Sequence, residues 1–353
     1  MHDIGEGTVR RIDWQELLPA VLLLRIFNAA LGVRIMLLAF IGFGLNILLL
    51  SNLSVRKDFY AILPPHYNYQ NLGLRHPIAE QLQHTVLVPA LFFKQLGIEF
   101  LTFQAQPLIA CFGSILIWLF FGGLILRTAA LRLTVDESES LRQKLVFLRK
   151  RGLGFASSLI ILSIGVLCCL LPVWFCGWLA SFPALSHFIC FLLPVPMLFA
   201  FLAAILTAGL IFGFPLLLAA VAVEGADGFD AVSRMFSYLY QRPLHYALYW
   251  IYAAVLGFAG YAVVSFFIWA TLYLTAMCFP TNIGMFGNQH VSTMRFGWCS
   301  FIPTAYLFSW FWTSSAAIYI LLRRSVDATP FDDVYRLKKP EPLPLPKMEI
   351  KEL

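Results

Sequence analysis

The sequence predicts an all-α fold: a polytopic membrane helix bundle with about six transmembrane helices and amphipathic interfacial helices on the cytoplasmic face. Of the 353 residues, 60% are hydrophobic and only 12% are charged, whereas a soluble domain has roughly 25% charged residues. Several apolar runs exceed the length of about 18 residues that lets a helix cross ~30 Å of hydrocarbon. We therefore interpret the chain as a multi-pass membrane protein.

Six apolar runs predict the spans, and none contains Asp, Glu, Lys or Arg away from its ends. The predicted spans cover residues 34–51, 107–126, 154–180, 196–222, 244–277 and 302–322. The fifth run would reach roughly 50 Å at about 1.5 Å per residue. It must therefore tilt, bend near Gly257 and Gly260, or project beyond the membrane.

The distribution of Lys and Arg predicts the orientation. Twenty of the 25 lie in the N-terminal segment up to Arg34, in the 127–153 and 223–243 connections and in the tail after residue 322. The other three connections hold five. Because cytoplasmic loops are enriched in Lys and Arg, both termini are expected in the cytoplasm. The net charge of +6 then reflects orientation, and no nucleic-acid partner is expected.

The domain organisation follows from the spans. Residues 1–33 form a cytoplasmic segment with an interfacial helix, 34–322 form the transmembrane domain with an outer loop at 52–106, and 323–353 form a flexible cytoplasmic tail. Two further apolar segments, 86–103 and 183–195, are expected to be interfacial or re-entrant, because prolines or charges interrupt them.

The connection at 223–243 predicts an amphipathic helix over residues 227–242. Asp227 can cap its first turn, Asp230 and Arg234 have the i,i+4 spacing of an ion pair, and Pro243 suits the start of the next helix. Its expected apolar stripe contains Phe229, Val232, Phe236 and Leu239 or Tyr240. The charged residues form a candidate cytoplasmic docking or structural motif: Glu224, Asp227, Asp230, Arg234 and Arg242. One interpretation is a helix whose charges face solvent and lipid headgroups; the other is a docking element for a cytoplasmic partner.

Two other segments share this design. Residues 136–151 begin with acids, end with bases and repeat leucines on one face, which predicts a second cytoplasmic helix. Residues 13–25 begin with Asp13 and Glu16, a pair spaced like a capping box. Each of these segments precedes an outward-going span.

The motif also resembles a known family. The segment AVEGADGFDAVSRMFSYLYQRP, with LRIFNAALGVRIMLLAF before it and LLRRSVDATPFDDVY after it, resembles a family of six-helix bacterial integral membrane proteins. In that family an EGxDxFDAxSRxxSYxxQRP string follows a long span. The resemblance implies the membrane fold and a location in a bacterial inner (plasma) membrane, but it implies no activity, ligand or catalytic residue.

The sequence offers no constellation for catalysis or for a cofactor. The polar residues within the predicted spans are expected to form helix–helix or backbone hydrogen bonds; they are Asn46, Ser163, Thr207, Ser265, Thr271, Thr313, Ser314 and Ser315. Gly209 and Gly213 form a G-x-x-x-G step, which indicates close packing within the bundle or a homodimer face. His66, His76 and His84, near Asp58 and Glu80, could hold a metal, but scattered surface histidines are the simpler interpretation.

Four cysteines lie near the expected outer side, where disulfides can form. Cys278 with Cys299 is the candidate disulfide, and Cys176 with Cys190 is a second possible pair; spacing alone does not decide between pairings.

These observations favour a non-enzymatic scaffold or accessory subunit of a membrane complex. Its partners would be membrane lipids and other membrane or cytoplasmic proteins, bound through residues 136–151 and 227–242. The alternative is a transporter, channel or ABC-permease-like subunit for a neutral or lipid-like solute, since permeases also dock partners through helices between spans. An intramembrane enzyme ranks third, because linear spacing brings no polar groups to one depth.

Overall fold

The computed structural model of the chain describes residues 21–52, 105–136, 139–278 and 289–336. Within these ranges the chain forms nine helices and no strand. The helices are α1 (Val21–Ala30), α2 (Val33–Asn52), α3 (Ala105–Thr134), α4 (Leu141–Ala180), α5 (Pro183–Leu192), α6 (Pro194–Glu224), α7 (Gly228–Gln241), α8 (Pro243–Cys278) and α9 (Gln289–Asp327). The all-α prediction is confirmed.

Five of these helices are long and apolar enough to cross a membrane: α3, α4, α6, α8 and α9. Helices α1 and α2, bent by 68° at a short break, make a sixth crossing if they count as one broken span. Each of the six predicted spans overlaps one of these helices. The short α5 agrees with a separate piece between the third and fourth spans.

Helix α9 occupies the middle of the bundle and packs against α1, α2, α3, α6 and α8. Its Trp312 is fully buried, with its ring close to those of Trp118 and Phe214. Gly257 and Gly260 of α8 lie directly against the rings of Trp310 and Tyr306 of α9, so a Cβ there would clash. These two glycines allow the close packing of α8 on α9.

Helix α4 differs from the prediction. It runs unbroken for 40 residues, roughly 60 Å at about 1.5 Å per residue, and begins with a capping box between Ser140 and Gln143. The separate helix predicted over 136–151 is therefore wrong, because residues 141–151 form the first turns of α4. Glycine costs only about 1 kcal/mol in a helix interior, and the burial of Phe147 and Phe155 on either side of Gly152 and Gly154 offsets that cost.

Helix α1 also departs from the interfacial helix expected before residue 33. Its Leu22, Leu23 and Ile26 are buried, so α1 packs into the bundle. The guanidinium of Arg25 donates to the Leu133 carbonyl, and that of Arg132 donates to the Ala29 carbonyl, each at 3.4 Å. These reciprocal bonds join α1 to the end of α3.

Residues 323–336 do not form the flexible tail expected from residue 323. Helix α9 continues to Asp327, and residues up to 336 pack back on the bundle, with Val334 buried.

Cys176 and Cys190 are free thiols, so their pairing is wrong. Other predictions lie outside the described residues: the Asp13–Glu16 capping box, the outer loop with segment 86–103 and His66, His76 and His84, and the side chains of Cys278 and Cys299.

Candidate functional site at the charged end of the bundle

Charged side chains from distant parts of the chain meet at one end of the bundle. This end, called the charged end below, comprises α1, α7, the first turns of α4, and the final turns of α3, α6 and α9. Its interior is apolar: residues 216–223 of α6 and 316–322 of α9 are almost completely buried. The ion pairs lie around this core, so the charged end is a packed unit with a polar rim.

The turn between α6 and α7 positions the predicted motif. Helix α6 ends at Glu224, and Gly225 adopts a left-handed φ of 66° that glycine tolerates best. The Tyr335 ring covers Gly225 so closely that a Cβ would lie 2.9 Å from it. The Tyr335 amide also donates to the Val223 carbonyl at 2.9 Å. The segment after α9 thus closes over the turn and fixes it.

Glu224 joins three helices. Its carboxylate accepts a hydrogen bond from the Tyr319 hydroxyl at 2.7 Å and pairs with Arg323 Nε at 2.9 Å. It also pairs with the Nη1 of Arg234 on α7. The Glu224 and Arg323 side chains are each only 9% exposed. We call Glu224, Arg234, Tyr319 and Arg323 the Glu224 cluster.

Two further carboxylates surround the Glu224 cluster. Asp230 accepts from Arg234 Nε at 3.1 Å, which confirms the predicted i,i+4 pair. Asp333 accepts from Arg323 Nη2 at 2.9 Å. Burial alone would lower the pKa of the Arg234 guanidinium, but the Glu224 charge and the hydrogen bond to Asp230 outweigh it and raise that pKa. Arg234 therefore stays charged and bound to α6.

Two of the predicted motif residues do not join the Glu224 cluster. Asp227 lies at the N-cap of α7, but its side chain makes no capping bond, so that part of the prediction is wrong. It pairs instead with Arg151 of α4 at 2.9 Å and is 86% exposed. Arg242 is exposed at the far end of α7. The structure therefore brings Glu224, Asp230 and Arg234 together and leaves Asp227 and Arg242 on the surface.

Arg127 is a buried cation, although the sequence predicts that it begins the 127–153 connection. It is fully buried on α3, pairs with Glu139 at 2.8 Å and donates to the Ala222 carbonyl at 3.3 Å. Its guanidinium lies 4.5 Å from the centre of the Phe147 ring. The only signal in the sequence is that Arg127 directly follows an apolar run. It connects α3, α4 and α6 through these contacts.

The buried face of α7 differs from the predicted stripe. Its fully buried residues are Gly228, Ala231, Met235 and Tyr238. Phe229 is 75% exposed and Tyr240 is 59% exposed, whereas Val232, Phe236 and Leu239 pack at the edge of the core. Helix α7 therefore faces the bundle with two small residues and with Met235 and Tyr238, and leaves the rings of Phe229 and Tyr240 outside.

The G-x-x-x-G step explains how closely α7 approaches α6. A Cβ on Gly213 would lie 2.2 Å from the Met235 sulfur, and one on Gly209 would lie 2.4 Å from the Phe236 ring. This confirms the interpretation that the step packs within the bundle. Tyr238 adds a hydrogen bond from its hydroxyl to Asp327 at 2.5 Å. Burial and then that bond raise the pKa of Tyr238, so its hydroxyl stays protonated.

Most polar groups inside the spans form the expected helix–helix or backbone hydrogen bonds, but the buried hydroxyls of Ser265 and Ser314 have no hydrogen-bond partner in the part of the chain that the structure describes, so the expectation is wrong for these two. Ser114 donates to Asn46 at 2.7 Å between α3 and α2. The hydroxyls of Thr207 and Thr313 donate to carbonyls four residues earlier. Within the described ranges no three His, Cys, Asp or Glu side chains are grouped to hold a metal.

The fold and this end define the class of the protein: an all-α bundle of the membrane-spanning type, with a packed charged end. Comparisons with protein-family models, curated proteins and solved structures gave no match. The resemblance of the 223–243 segment to a bacterial membrane family therefore stays a prediction.

Proposed function

We propose that the protein is a non-enzymatic scaffold or accessory subunit of an inner-membrane complex, and that α7 is its main docking element. The observation behind this proposal is the exposed aromatic pair on α7, Phe229 and Tyr240, on a helix whose opposite face is locked to the bundle. In this proposal the charged end and both termini lie in the cytoplasm, as the bias of Lys and Arg favours.

Phe229 and Tyr240 are eleven residues apart, about three helical turns, so they lie on one face of α7. The Tyr240 ring stacks on Phe236, with ring centres 5.7 Å apart. Aromatic side chains are enriched among the residues that dominate binding energy at protein interfaces. Arg242, exposed at the end of the same helix, adds a positive charge beside them.

The packing of α7 favours a preformed surface. Four buried residues and the Arg234–Glu224 pair hold the helix against α6. A partner would meet a surface that is already ordered, which reduces the entropy lost on binding. At its first turn α7 packs on Ser157 and Ile161 of α4, which adds to the order of this surface.

The alternative is a transporter, channel or ABC-permease-like subunit for a neutral or lipid-like solute. Its support is the position of α7 between two spans. Two observations disfavour this alternative. Trp312 and other aromatic residues of α9 fill the middle of the bundle. Helix α7 runs back along α6, where its Phe236 ring contacts Gly209. A solute path would need space between the spans at that depth.

The first test is gentle detergent extraction of the tagged protein, followed by mass spectrometry of co-purifying proteins. The test variant is Phe229→Ala with Tyr240→Ala. The matched control is Phe266→Ala with Tyr252→Ala on α8, where the same residue types are exposed on a span. We expect a recurring set of membrane proteins with the wild type and the control, and loss of that set with the α7 variant.

An identical set of proteins from all three samples would contradict the docking proposal. A stoichiometric cytoplasmic ATPase would instead support the permease alternative. Asp230→Ala with Arg234→Ala is the poorer test, because it also removes a partner of the buried Glu224 and destabilises the charged end itself.

A further inference from the structure

An open apolar groove lies between α3 and α4. Its volume is about 500 Å³, within the range of roughly 300–1,000 Å³ that small-ligand sites occupy. Leu116 and Phe120 of α3 form one wall, and Leu148, Gly152 and Ala156 of α4 form the other. Nearly all of this lining is apolar, so the groove suits a hydrocarbon chain.

A buried cation lies on α4 just beyond the groove. Lys144, Leu148, Gly152 and Ala156 are each four residues apart, which places them in one row along the helix. Lys144 is fully buried, and its ammonium group makes no hydrogen bond with the protein. Burial disfavours the charged form of a lysine that has no partner, and an anion beside Lys144 would offset that cost.

The surroundings of Lys144 are positive. The guanidinium groups of Arg34 and Arg132 repel the charge of Lys144, and the carboxylate of Glu139 attracts it. Glu139 is already paired with Arg127 at 2.8 Å. The nearby carboxylate is therefore engaged elsewhere, and the three cations from α2, α3 and α4 leave a local excess of positive charge at the end of an apolar groove.

We propose that this place binds one anionic phospholipid, with an acyl chain in the α3–α4 groove and the headgroup phosphate at Lys144. Basic pockets between transmembrane helices bind anionic headgroups in this way. The arrangement combines an apolar surface and a phosphate site one helical turn apart, as a single lipid molecule requires. The site is independent of docking through α7, because it shares no residue with that surface.

Native mass spectrometry of the detergent-purified protein, titrated with phosphatidylglycerol or with phosphatidylcholine of the same acyl chains, tests the proposal. We expect one phosphatidylglycerol per chain to bind more tightly than phosphatidylcholine. Lys144→Met should weaken phosphatidylglycerol binding about tenfold, since tenfold corresponds to ~1.4 kcal/mol and a hydrogen bond to a charged group contributes at least that much. Lys150→Met, the same change at an exposed position of α4, should leave binding unchanged.

A second variant tests the groove. A Cβ on Gly152 meets nothing within 4 Å, so the side chain of Gly152→Phe can enter the groove and should weaken the binding of both lipids. Gly177, also on α4 and equally open, supplies the control Gly177→Phe, which should weaken neither.

Three results would overturn the proposal. The first is equal affinity for the two lipids. The second is an equal effect of each variant and its control. The third is displacement of phosphatidylglycerol by millimolar inorganic phosphate with no effect of Gly152→Phe, which would indicate a site for free anions rather than a lipid site.

Discussion

Replacing Glu224 by Gln tests whether the Glu224 cluster holds α7 on the bundle. The change keeps the size of the side chain and an acceptor for the Tyr319 hydroxyl, and it removes the charge that pairs with Arg234 and Arg323. Removing one partner of a buried ion pair costs about 3–5 kcal/mol. Since Arg323 retains Asp333 and Arg234 retains Asp230, we expect the lower end, about 3 kcal/mol.

Hydrogen exchange of the α7 backbone amides measures this effect locally. Local opening sets the exchange of protected amides, and about 3 kcal/mol corresponds to a roughly 100-fold increase in exchange. The matched control is Asp227→Asn, which also changes an acid to its amide at the start of α7. Because the Asp227 side chain is 86% exposed, its pair with Arg151 should contribute less than about 1 kcal/mol, a change of at most about fivefold.

Equal, small effects of Glu224→Gln and Asp227→Asn would refute this reasoning. They would mean that the buried face of α7 alone fixes the helix and that the ion pairs add nothing measurable.

Two further predictions concern the packing of α7. Gly213→Ala should destabilise the protein by about 1–3 kcal/mol, because the new Cβ would overlap the buried Met235. Gly177→Ala, where the space is open, should be neutral or slightly stabilising in the same thermal unfolding experiment, and equal effects would show that α7 adjusts freely. Tyr238→Phe should lose about 1 kcal/mol with the hydrogen bond to Asp327. Since the folded pKa of Tyr238 is raised, its contribution is complete below pH ~10 and falls as the pH rises above that value, so the variant should lose less stability between pH 9 and 11 than the wild type.

The sequence was sufficient for the class of fold because the length of an apolar run is a local property. The six spans, the extent of α7 and the Asp230–Arg234 pair all depend on residues close together in the chain. The continuity of α4 through Gly152 and Gly154 was not predictable in this way, since the burial of Phe147 and Phe155 decides it. The tail was predicted to be free from residue 323, whereas Tyr335 contacts the turn at Gly225.

The candidate site was predicted only in part, for the same reason. Glu224 and Arg323 are 99 positions apart, so their pairing depends on how α6 and α9 pack. The face of α7 that is buried was also misjudged. Gly228 and Ala231 contribute little hydrophobicity but allow close approach, whereas the more hydrophobic Phe229 remains outside.

In the proposed function, the exposed face of α7 contacts another protein. Introducing a photo-crosslinking benzophenone side chain at position 229 in living cells, with position 266 of α8 as the control, tests it most directly. We expect discrete protein adducts at position 229 and none at position 266. Lipid adducts alone at both positions, or the same protein adducts at both, would contradict it.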